Sequence, residues 1–542
     1  MRPFNASFVS QRYPESAEAR RTPKVCLMSH KIVFFLNGEK IEITVEDSPG
    51  LRPDTTLLNW LRHAQKLTGT KEGCAEGDCG ACSVVIGRLA ADNTPHWHAV
   101  NACILFLPML HGSVVTTIEG VASADGSLHP VQHSMIEHHG AQCGFCTPGF
   151  VMSLYAGWCS GSDFTTAEIE ILLSGNLCRC TGYGPIVRAG RALSEAVRPQ
   201  WAVDRLQRDL SNLRDMQAKE NHQTLELQAD GQRYSAPSTT KALQILYAEN
   251  PDAHILSGAT DIGLWVTKQH RQLPHLIHIG GIAELNQIEK SDTHITIGAG
   301  VTHQQAMQYL AEDYPALQEI WARFGSAQVR ASGRVCGNIA NASPIGDLAP
   351  CFLALDGAIL LNRAGQHRHL KLQEFFIDYG QQNRQPGEFV EAVILPRLQT
   401  DQQLFSYKLS KRFDQDISAV LMAVCLHVRE DVITDIRIGF GGMAAIPRRA
   451  PHLEALLAGK KLVALECLQA AEQNALRQDI ARCLEADFDP IDDMRASRAY
   501  RLLAAGQLLE KLFIEYSDGK IRLSEPQRFR TPGDFTPLAR PQ

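Results

Sequence analysis

The alternation of apolar and polar residues near the start of the chain predicts a β-hairpin. Residues 31–36 form an apolar run, Asn37-Gly38 is a strong signal for a two-residue turn, and residues 40–45 alternate with period two. The preceding residues 1–27 contain four arginines but no apolar stretch of the kind that secretory signals carry. We therefore expect a disordered arm that leads into a folded domain; the alternative is that the start of the sequence is assigned too far upstream.

The residues after this hairpin predict a helix packed on a small sheet. Thr55 can cap a helix in which Leu57 and Leu61 share one face, and Gly69 can end it. Strands follow at residues 83–86 and 114–118, with a cysteine-containing loop before the first of them. This order of elements predicts a β-grasp domain of the α+β class.

Between residues 129 and 197 the apolar spacing becomes helical. Four short helices are predicted, at residues 129–139, 148–158, 166–173 and 184–197, so the second domain should be an all-helical bundle. Residues 199–223 are rich in Gln, Arg, Asp and Asn and lack Gly. That composition predicts a polar arm connecting the bundle to the next domain.

The rest of the chain predicts two more units. From residue 225 to 396, strand-like runs at 253–256, 295–298 and 358–361 alternate with helices at 240–248 and 303–310. Glycine-bearing turns accompany the ends of these strands, at residues 257–261, 298–302 and 333–338. After Pro396, a β-rich stretch at 419–439 leads to helices around 466–484 and 494–512, which indicates a smaller fourth domain.

Length and composition exclude several classes of protein. The chain has 542 residues, enough for three or four domains, with 44% hydrophobic residues, 21% charged residues and a formal net charge of -6. This composition is typical of a soluble globular protein and excludes both a disordered chain and a strongly basic protein that binds polyanions. No run approaches the roughly 18 apolar residues that a membrane-spanning helix requires. We expect a cytoplasmic protein.

Four of the fifteen cysteines form a first group with the spacing of an iron-sulfur site. The group consists of Cys74, Cys79, Cys82 and Cys103. Its C-x4-C-x2-C order matches plant-type [2Fe-2S] ligation, while structural zinc and unliganded thiols are the alternatives. Gly73, Gly77 and Gly80 allow the loop to curve closely around a cluster, so that its amides can point at the sulfurs. Lys71 is a candidate cation for the negative charge of the cluster.

A second group of cysteines has a less generic spacing. It consists of Cys143, Cys146, Cys178 and Cys180. Thr147 and Pro148 can occupy the N-cap and first position of a helix whose positive end faces the site, and Arg179 adds a cation. A Rieske centre would need two histidine ligands, and four histidines lie nearby in the sequence. Because the four cysteines already complete the ligand set, we expect these histidines to form a solvated helix face: His129, His133, His138 and His139.

The remaining seven cysteines are solitary, and most lie in apolar surroundings that predict buried thiols. They are Cys26, Cys159, Cys336, Cys351, Cys425, Cys467 and Cys483.

The motifs resemble those of the xanthine dehydrogenase and aldehyde oxidase family. Its two iron-sulfur domains are matched by Cys74-Ala-Glu-Gly-Asp-Cys-Gly-Ala-Cys82, Gln142-Cys-Gly-Phe-Cys-Thr-Pro-Gly149 and Cys178-Arg-Cys-Thr-Gly-Tyr183. Its FAD motifs are matched by Leu256-Ser-Gly-Ala-Thr-Asp-Ile262 and Cys336-Gly-Asn-Ile-Ala-Asn-Ala-Ser-Pro-Ile-Gly-Asp347. The similarity runs from about residue 30 to about residue 512. No G-x-G-x-x-G fingerprint accompanies these segments, which implies a FAD fold of non-Rossmann type.

The resemblance implies a set of FAD-binding residues. Gly258 lies in the turn that matches the pyrophosphate-binding turn, where backbone amides can approach the phosphates, although a plain tight turn is the alternative. Phe324 takes the place of an aromatic residue beside the flavin, with a core aromatic as the alternative. The full set is Ile255, Leu256, Ser257, Gly258, Ala259, Thr260, Asp261, Ile262, Phe324, Arg334, Gly337, Asn338, Asn341, Asp347, Val390 and Lys408.

Three more positions follow from the resemblance. Asp414 and Asp416 would lie near the open face of the flavin, where the loop 411–416 would shape the approach of a nicotinamide; a solvated turn is the alternative. Gln142 would lie where the second cluster domain approaches the molybdopterin, although by its sequence context it is an exposed polar helix end.

The implied fold is multidomain α+β. Its predicted parts are an arm at 1–27, a β-grasp plant-type [2Fe-2S] ferredoxin domain at 28–118, a helical [2Fe-2S]-binding domain at 119–200, a linker at 201–224, a FAD-binding domain at 225–398, a small C-terminal flavoprotein domain at 399–515 and a tail at 516–542.

The resemblance implies an electron-transfer subunit with two [2Fe-2S] clusters and FAD, and no residues for substrate hydroxylation. A large partner subunit in a hetero-oligomer, for example a dimer of heterodimers, would hold the molybdenum cofactor and convert hypoxanthine or xanthine to urate, with NAD as final acceptor. Two alternatives stay open: the same architecture acting on an aldehyde or N-heterocycle, and a stand-alone ferredoxin-flavoprotein shuttle without a molybdenum partner. No nucleic-acid or membrane partner is expected.

Overall fold

The first domain is a β-grasp unit, as predicted. The computed structural model describes residues 27–90, 93–220, 223–462 and 468–518. After the short strand β1 (Leu27–Ser29), the first domain contains β2 (Lys31–Leu36), β3 (Glu39–Thr44), α1 (Leu57–Asn59), β4 (Ser83–Leu89), β5 (Pro95–Asn101) and β6 (Val114–Thr116). The sheet order is β3-β2-β6-β4-β5, in which β2 and β6 run parallel. Asn37 and Gly38, with φ of 53° and 90°, form the predicted hairpin turn.

Two local features of this domain differ from the prediction. The cap of α1 is Thr56, whose Oγ1 accepts a hydrogen bond from Asn59 N at 3.2 Å, whereas Thr55 Oγ1 accepts one from Arg52 N. The helix continues as a π-helix at Trp60–Ala64 and ends before Gly69. Strand β5 was not predicted, because its sequence contains proline and two histidines; antiparallel pairing with β4 forms it.

The second domain is the predicted helical bundle. Its helices are α2 (Pro130–Glu137), α3 (Thr147–Cys159), α4 (Thr166–Leu173) and α5 (Gly184–Ala192). The segment predicted as a polar connecting arm is instead the 21-residue helix α6 (Gln200–Glu220). Leu213 and Met216 of α6 are buried in the core of the bundle, and Arg205 donates hydrogen bonds to the carbonyls of Val121 and Ala122. A narrow apolar stripe is enough to dock a largely polar helix.

The third domain consists of two five-stranded sheets, a two-stranded sheet and surrounding helices. Its elements are β7 (Gln223–Ala229), β8 (Gln232–Ala236), α7 (Thr240–Glu249), β9 (His254–Leu256), α8 (Ile262–Thr267), β10 (His275–His278), β11 (Ile288–Lys290), β12 (His294–Gly298), α9 (His303–Tyr309), α10 (Gln318–Arg323), α11 (Ala327–Ser332), α12 (Val335–Ala340), α13 (Leu348–Ala354), β13 (Ala358–Arg363), β14 (Gln366–Lys371), α14 (Leu372–Phe375), β15 (Phe376–Asp378), β16 (Gln381–Gln382) and β17 (Phe389–Pro396). The sheet orders are β1-β7-β8-β10-β9, β11-β12-β17-β13-β14 and β15-β16.

The first and third domains are joined by a shared strand and a shared core. Strand β1, at the boundary predicted between arm and first domain, pairs in parallel with β7. Side chains of the first domain, such as Phe34 and Leu57, pack in one hydrophobic cluster with Leu256 and Leu276 of the third. Of the arm predicted at residues 1–27, residues 1–26 lie outside the described residues, and Leu27 is the first residue of β1. The relative placement of these two domains is therefore set by buried apolar contact.

The fourth domain packs a four-stranded antiparallel sheet against helices. It contains β18 (Gln402–Leu409), β19 (Val420–Arg429), β20 (Val432–Gly441), β21 (Arg448–Arg449), α15 (Pro451–Leu457), α16 (Ala470–Asp487) and α17 (Arg498–Asp518). Leu421 and Cys425 of β19 belong to the core of the third domain, so these two domains also share buried surface. None of the helices in the described ranges is long and apolar enough to cross a membrane.

Candidate iron-sulfur and flavin sites

The four cysteines of the first group lie together on the loop before β4 and on the turn after β5. Cys74 makes side-chain hydrogen bonds with Cys103 and Cys79, and Cys103 makes another with Cys82. Cys82 and Cys103 are buried, and Cys74 and Cys79 are half-buried. These hydrogen bonds lower the pKa of Cys74 and raise the pKa of Cys79 and Cys103, as expected for thiols close enough to share protons.

The loop that carries three of these cysteines has the curvature expected of a cluster-binding loop. Ala75, Gly77 and Gly80 have φ of 54°, 82° and 70°. The backbone N–H groups of Asp78 and Cys79 donate to Cys74 Sγ, each at 3.4 Å, as the prediction of inward-pointing amides requires. The residues present therefore fit a cluster held by four thiolates, whose negative charge the amides stabilise.

The cation at this loop is not the one that the sequence indicated. Lys71 Nζ donates to Thr68 O at 2.7 Å. Lys268, just after α8 in the third domain, instead donates from Nζ to the carbonyl oxygen of Cys74, and Thr267 Oγ1 donates to Ala75 O at 2.8 Å. Sequence reasoning missed both residues because they lie more than 190 positions from the loop they contact.

The four cysteines of the second group form two contacting pairs. All four are free thiols. Cys143 makes a side-chain hydrogen bond with Cys180, and both are exposed; Cys146 makes one with Cys178. Burial, followed by the contact with Cys178, raises the pKa of Cys146 to about 12. The Cys178 thiol also lies 3.1 Å from Thr181 Oγ1. Iron binding at Cys146 must displace its proton, as it does for any cysteine ligand.

The start of α3 differs by one residue from the prediction. Cys146 itself occupies the cap position and Thr147 is the first helical residue, with Pro148 next. The helix still begins at a cysteine ligand, so its positive end still faces the site. Arg179 is exposed, and so is Gln142, beside the exposed Cys143.

Each group of four cysteines has the number of thiols that a [2Fe-2S] cluster requires. A [2Fe-2S] cluster needs two thiolates for each of two irons, which pairs can provide. Of the solitary cysteines, Cys159, Cys336, Cys351 and Cys425 are buried and Cys483 is half-buried, whereas Cys26 and Cys467 lie outside the described residues.

The prediction of a solvated histidine face is wrong for His129. Its side chain is fully buried, with its ring 4.6 Å from that of Trp158 and 5.1 Å from that of Tyr155. Nδ1 accepts the Val131 amide and so caps α2. Burial lowers the pKa of His129 to about 3. His133 and His139 are exposed, as predicted.

The three glycine-bearing turns of the third domain meet at one place. A Cβ added at Gly258 would lie 1.9 Å from Ser332 O, so the first turn touches the chain at the start of the third. The third turn joins the second through His303 N to Gly333 O and Val335 N to Val301 O, both 3.1 Å. Gly258 is therefore required for close backbone packing, in addition to the expected access for phosphates.

Several predicted FAD-binding residues lie around this junction. Asp261 accepts a hydrogen bond from Asn341, and burial raises its pKa. Asn338 Oδ1 is buried without a hydrogen-bond partner among the described residues, while neighbouring Gly337 is exposed. Arg334 Nη1 donates to Ser332 O at 2.8 Å, and burial lowers the pKa of Arg334 to about 10. An unpaired buried carbonyl beside an open glycine fits a ligand with hydrogen-bond donors, such as FAD.

Other residues of the predicted set have packing roles. The Leu256 side chain is fully buried in the core shared with the first domain, so only its backbone can face a ligand. Ile255 and Val390 are partly buried against the core of the third domain. Ala259 has φ of 59° in the turn, and Thr260 lies near Gly333.

Asp347 and Lys408 contact each other across two domains. Lys408 Nζ lies 2.5 Å from Asp347 Oδ2, and the two side chains are only 1% and 6% exposed. Ser418 Oγ donates to the other carboxylate oxygen at 2.5 Å. This buried ion pair fastens the start of α13 in the third domain to β18 in the fourth.

Phe324 lies beside the second glycine-bearing turn of the third domain. Its ring is half-buried and 4.3 Å from the ring of His303. The preceding residue, Arg323, donates to the carbonyls of Lys408 at 2.9 Å and Phe413 at 3.1 Å, and its guanidinium stacks over the Phe413 ring. The loop 411–416 is thereby tied to the chain next to Phe324, a connection that the sequence did not indicate.

The three candidate cofactor sites adjoin one another. Leu177 N, next to Cys178, donates to Cys79 O at 3.0 Å and joins the two cysteine groups. A Cβ added at Gly263, at the start of α8, would lie 2.6 Å from the carbonyl oxygen of Ile104, next to Cys103. The flavin turn therefore leads directly into a helix that contacts the first cysteine group.

Comparison with protein families matches four successive domains along the chain. The matches are a 2Fe-2S iron-sulfur cluster binding domain at residues 34–107, a [2Fe-2S] binding domain at 117–191, a FAD binding domain in molybdopterin dehydrogenase at 226–398 and a CO dehydrogenase flavoprotein C-terminal domain at 405–516.

Similar curated proteins are xanthine dehydrogenases and an aldehyde oxidase. Xanthine dehydrogenase of Drosophila pseudoobscura pseudoobscura is 32% identical over 485 residues, covering 80% of this chain and 36% of that protein. Xanthine dehydrogenase/oxidase of Rattus norvegicus is 32% identical, with 77% and 34% covered, and aldehyde oxidase 2 of Cavia porcellus is 31% identical, with 80% and 36% covered. The chain thus spans about a third of the length of these relatives.

Similar solved structures include quinoline 2-oxidoreductase from Pseudomonas putida 86, with a TM-score of 0.47 and 20% identity over 53% of this chain and 96% of that chain. A carbon monoxide dehydrogenase from Hydrogenophaga pseudoflava has a TM-score of 0.47 and 23% identity over 51% and 94%.

Proposed function

Because this chain belongs to the xanthine dehydrogenase and aldehyde oxidase family and contains its iron-sulfur and FAD domains, we propose that it is the electron-transfer subunit of a xanthine dehydrogenase. It carries electrons from a molybdenum cofactor on a partner subunit to NAD. The residues that hydroxylate hypoxanthine or xanthine are assigned to that partner.

The observation that carries this proposal is the contact between the three cofactor sites. The Leu177–Cys79 hydrogen bond joins the two cysteine groups, and the close approach of Gly263 to Ile104 joins the first group to the flavin turn. Electron transfer slows steeply as the separation between redox centres grows. The order of the sites, from the second cysteine group to the first and then to the flavin turn, is the order that electron transfer from the protein surface to the flavin requires.

The bound groups supply the redox chemistry: the clusters exchange single electrons and FAD exchanges one or two. The chain supplies eight thiolates, the amides of Asp78 and Cys79 that stabilise them, and buried surroundings at Cys82 and Cys103. In the flavin site, Asn338 and Gly337 offer a carbonyl and open space for the cofactor. Burial and hydrogen bonds to sulfur are the means by which a protein sets a cluster potential.

The molybdenum subunit is expected to dock at the second cysteine group. Cys143 and Cys180 are exposed there, and three apolar side chains within three residues of a ligand in the sequence are exposed as well: Phe145 at 48%, Leu177 at 39% and Tyr183 at 41%. Exposed aromatic side chains beside redox ligands are costly for a surface that faces only water. A partner that covers this rim would exclude solvent and bring its own redox centre close to the cluster.

The acceptor NAD is assigned to the opposite end of the relay. Phe324 shields the flavin, and the loop 411–416 lines the approach of the nicotinamide. Arg323 supports this assignment because it holds the loop next to Phe324 through its bonds to the Lys408 and Phe413 carbonyls.

The proposal is tested on the purified chain and on its complex. The chain should contain about four iron atoms and four acid-labile sulfides, since each cluster holds two of each. It should bind FAD and oxidise NADH with an artificial acceptor, yet not oxidise xanthine. Cys79→Ser and Cys146→Ser should each remove one cluster and leave the flavin.

Four outcomes would count against all or part of the proposal. Zinc in place of iron would remove the redox relay, and xanthine oxidation by a preparation free of any second chain would refute the division of labour. A complex that oxidises an aldehyde or N-heterocycle but not xanthine would keep the relay and change the substrate. Absence of any molybdenum-containing partner on purification would favour a stand-alone shuttle.

A further inference from the structure

Gln328 lies at a junction of three domains and has no role in the predicted site. It is on α11 of the third domain, fully buried, and its Nε2 lies 3.1 Å from Ser83 Oγ, 3.2 Å from Ser153 Oγ and 3.2 Å from Asn176 Oδ1. Ser83 belongs to the first domain, whereas Ser153 and Asn176 belong to the second. One amide group therefore donates to side chains of both iron-sulfur domains.

The partners of Gln328 connect directly to the cluster loops. Ser83 Oγ donates to Gly80 O at 2.8 Å, and Asn176 Nδ2 donates to the same carbonyl at 3.3 Å. Gly80 lies between the ligands Cys79 and Cys82. Asn176 is followed by Leu177, whose amide donates to Cys79 O, and then by the ligand Cys178. Hydrogen bonds from Gln328 thus reach ligand loops of both clusters through one intervening residue.

Backbone packing at this junction leaves no room for adjustment. A Cβ added at Gly80 would lie 2.1 Å from Gly175 O, one added at Gly149 would lie 2.2 Å from Gly80 O, and one added at Gly175 would lie 1.7 Å from Gln328 Oε1. Three glycines from two domains thus approach one another, with Gln328 against one of them. Small displacements of Gln328 must therefore be transmitted to the loops.

Gln328 is not needed to satisfy the hydroxyl protons of the two serines. Ser153 Oγ already donates to Asn176 Oδ1 at 2.6 Å, and Ser83 Oγ already donates to Gly80 O. What the glutamine adds is a donor from the flavin domain that holds the two iron-sulfur domains together.

We propose that Gln328 is a positioning residue that sets the separation of the two iron-sulfur clusters and thereby the rate at which a single electron passes between them. This inference rests on the proposed electron-transfer function. The electron leaves one reduced cluster and reduces the other, while Gln328 itself gains and loses nothing.

The test uses the full chain with its cofactors and compares Gln328→Leu and Gln328→Asn with the wild type. Gln318→Leu is the control, because Gln318 Nε2 donates to Met307 O at 3.0 Å, a contact within the third domain. The first readout is the magnetic splitting between the two reduced clusters in EPR spectra, which depends on their separation. The second is hydrogen exchange of the Leu177 amide, measured by mass spectrometry.

Both Gln328 variants should lose or narrow the splitting, and Gln328→Leu should exchange the Leu177 amide about fivefold faster, as expected for the loss of one hydrogen bond's support. Gln318→Leu should match the wild type. Unchanged splitting and exchange in both Gln328 variants would overturn the proposal. Iron below about four atoms per chain in both would also overturn it, because Gln328 would then act in assembly. A wild-type chain without two clusters would instead refute the proposed function.

Discussion

Replacing Lys408 with Met should destabilise the junction between the third and fourth domains. Lys408 Nζ lies 2.5 Å from Asp347 Oδ2 with both side chains almost fully buried, so the substitution leaves a buried carboxylate whose remaining hydrogen bond comes from Ser418. Breaking a buried ion pair by removing one partner costs about 3–5 kcal/mol. At about 2–4 °C per kcal/mol for a unit of 150–250 residues, the expected fall in Tm is roughly 6–20 °C.

The assay is thermal unfolding followed by circular dichroism, on protein freed of FAD so that any contact of Lys408 with the cofactor does not contribute. Lys371→Met is the matched control, because Lys371 pairs with Asp356 at 2.7 Å with side chains 46% and 34% exposed. An exposed pair contributes about 0–1 kcal/mol, so this variant should unfold close to the wild type.

The double variant Lys408→Met, Asp347→Asn separates an ion pair from a packing effect. Removing both charges eliminates the unpaired carboxylate while the amide oxygen still accepts from Ser418, so at least half of the lost stability should return. The reasoning is refuted if Lys408→Met melts within about 2 °C of the wild type. It is also refuted if the double variant is less stable than Lys408→Met.

Three further predictions follow from contacts in the sites. Gly263→Ala places a Cβ 2.6 Å from Ile104 O and should lower the free energy of unfolding by about 1–3 kcal/mol. The variant should keep its iron and FAD, but its clusters should be reduced by NADH more slowly than those of the wild type in rapid-mixing experiments. A wild-type rate would contradict the contact between the sites. The pKa of His129 is about 3 in the folded state and 6.5 for an ordinary histidine, so between these pH values the unfolded state binds a proton that the folded state does not. Stability should therefore fall as the pH drops from 6.5 towards 3, and Tm should fall less steeply in His129→Phe. An equal fall in both proteins would be inconsistent with burial of His129. The double variant Asp414→Ala, Asp416→Ala should raise the Michaelis constant of the assembled complex for NAD, and an unchanged constant would argue against a role of the loop 411–416. Equal turnover of the wild-type complex in air with and without NAD would argue against a dehydrogenase.

The sequence by itself located the two cysteine groups because ligand spacing is local. C-x4-C-x2-C and the paired C-x2-C and C-x-C motifs identified eight cysteines that the structure brings into contact. Local signals also predicted helix α4 at its observed bounds and the Asn37-Gly38 hairpin, since caps and turns depend on residues a few positions apart. Helix α6 was missed because its apolar stripe is narrow and its composition is polar.

Only the tertiary structure determined how the sites are connected. Gln328 and Ser83 are 245 positions apart and Lys268 and Cys74 are 194 apart, so no window along the chain contains either pair. Their types give no signal, because an isolated Gln or Lys in a polar segment usually faces solvent. Burial between domains made Gln328 a donor to two cluster domains, and the docking of α8 brought Lys268 to Cys74. Such contacts arise when whole domains pack against each other, and the relative placement of domains depends on the sum of many weak apolar contacts that no local pattern encodes.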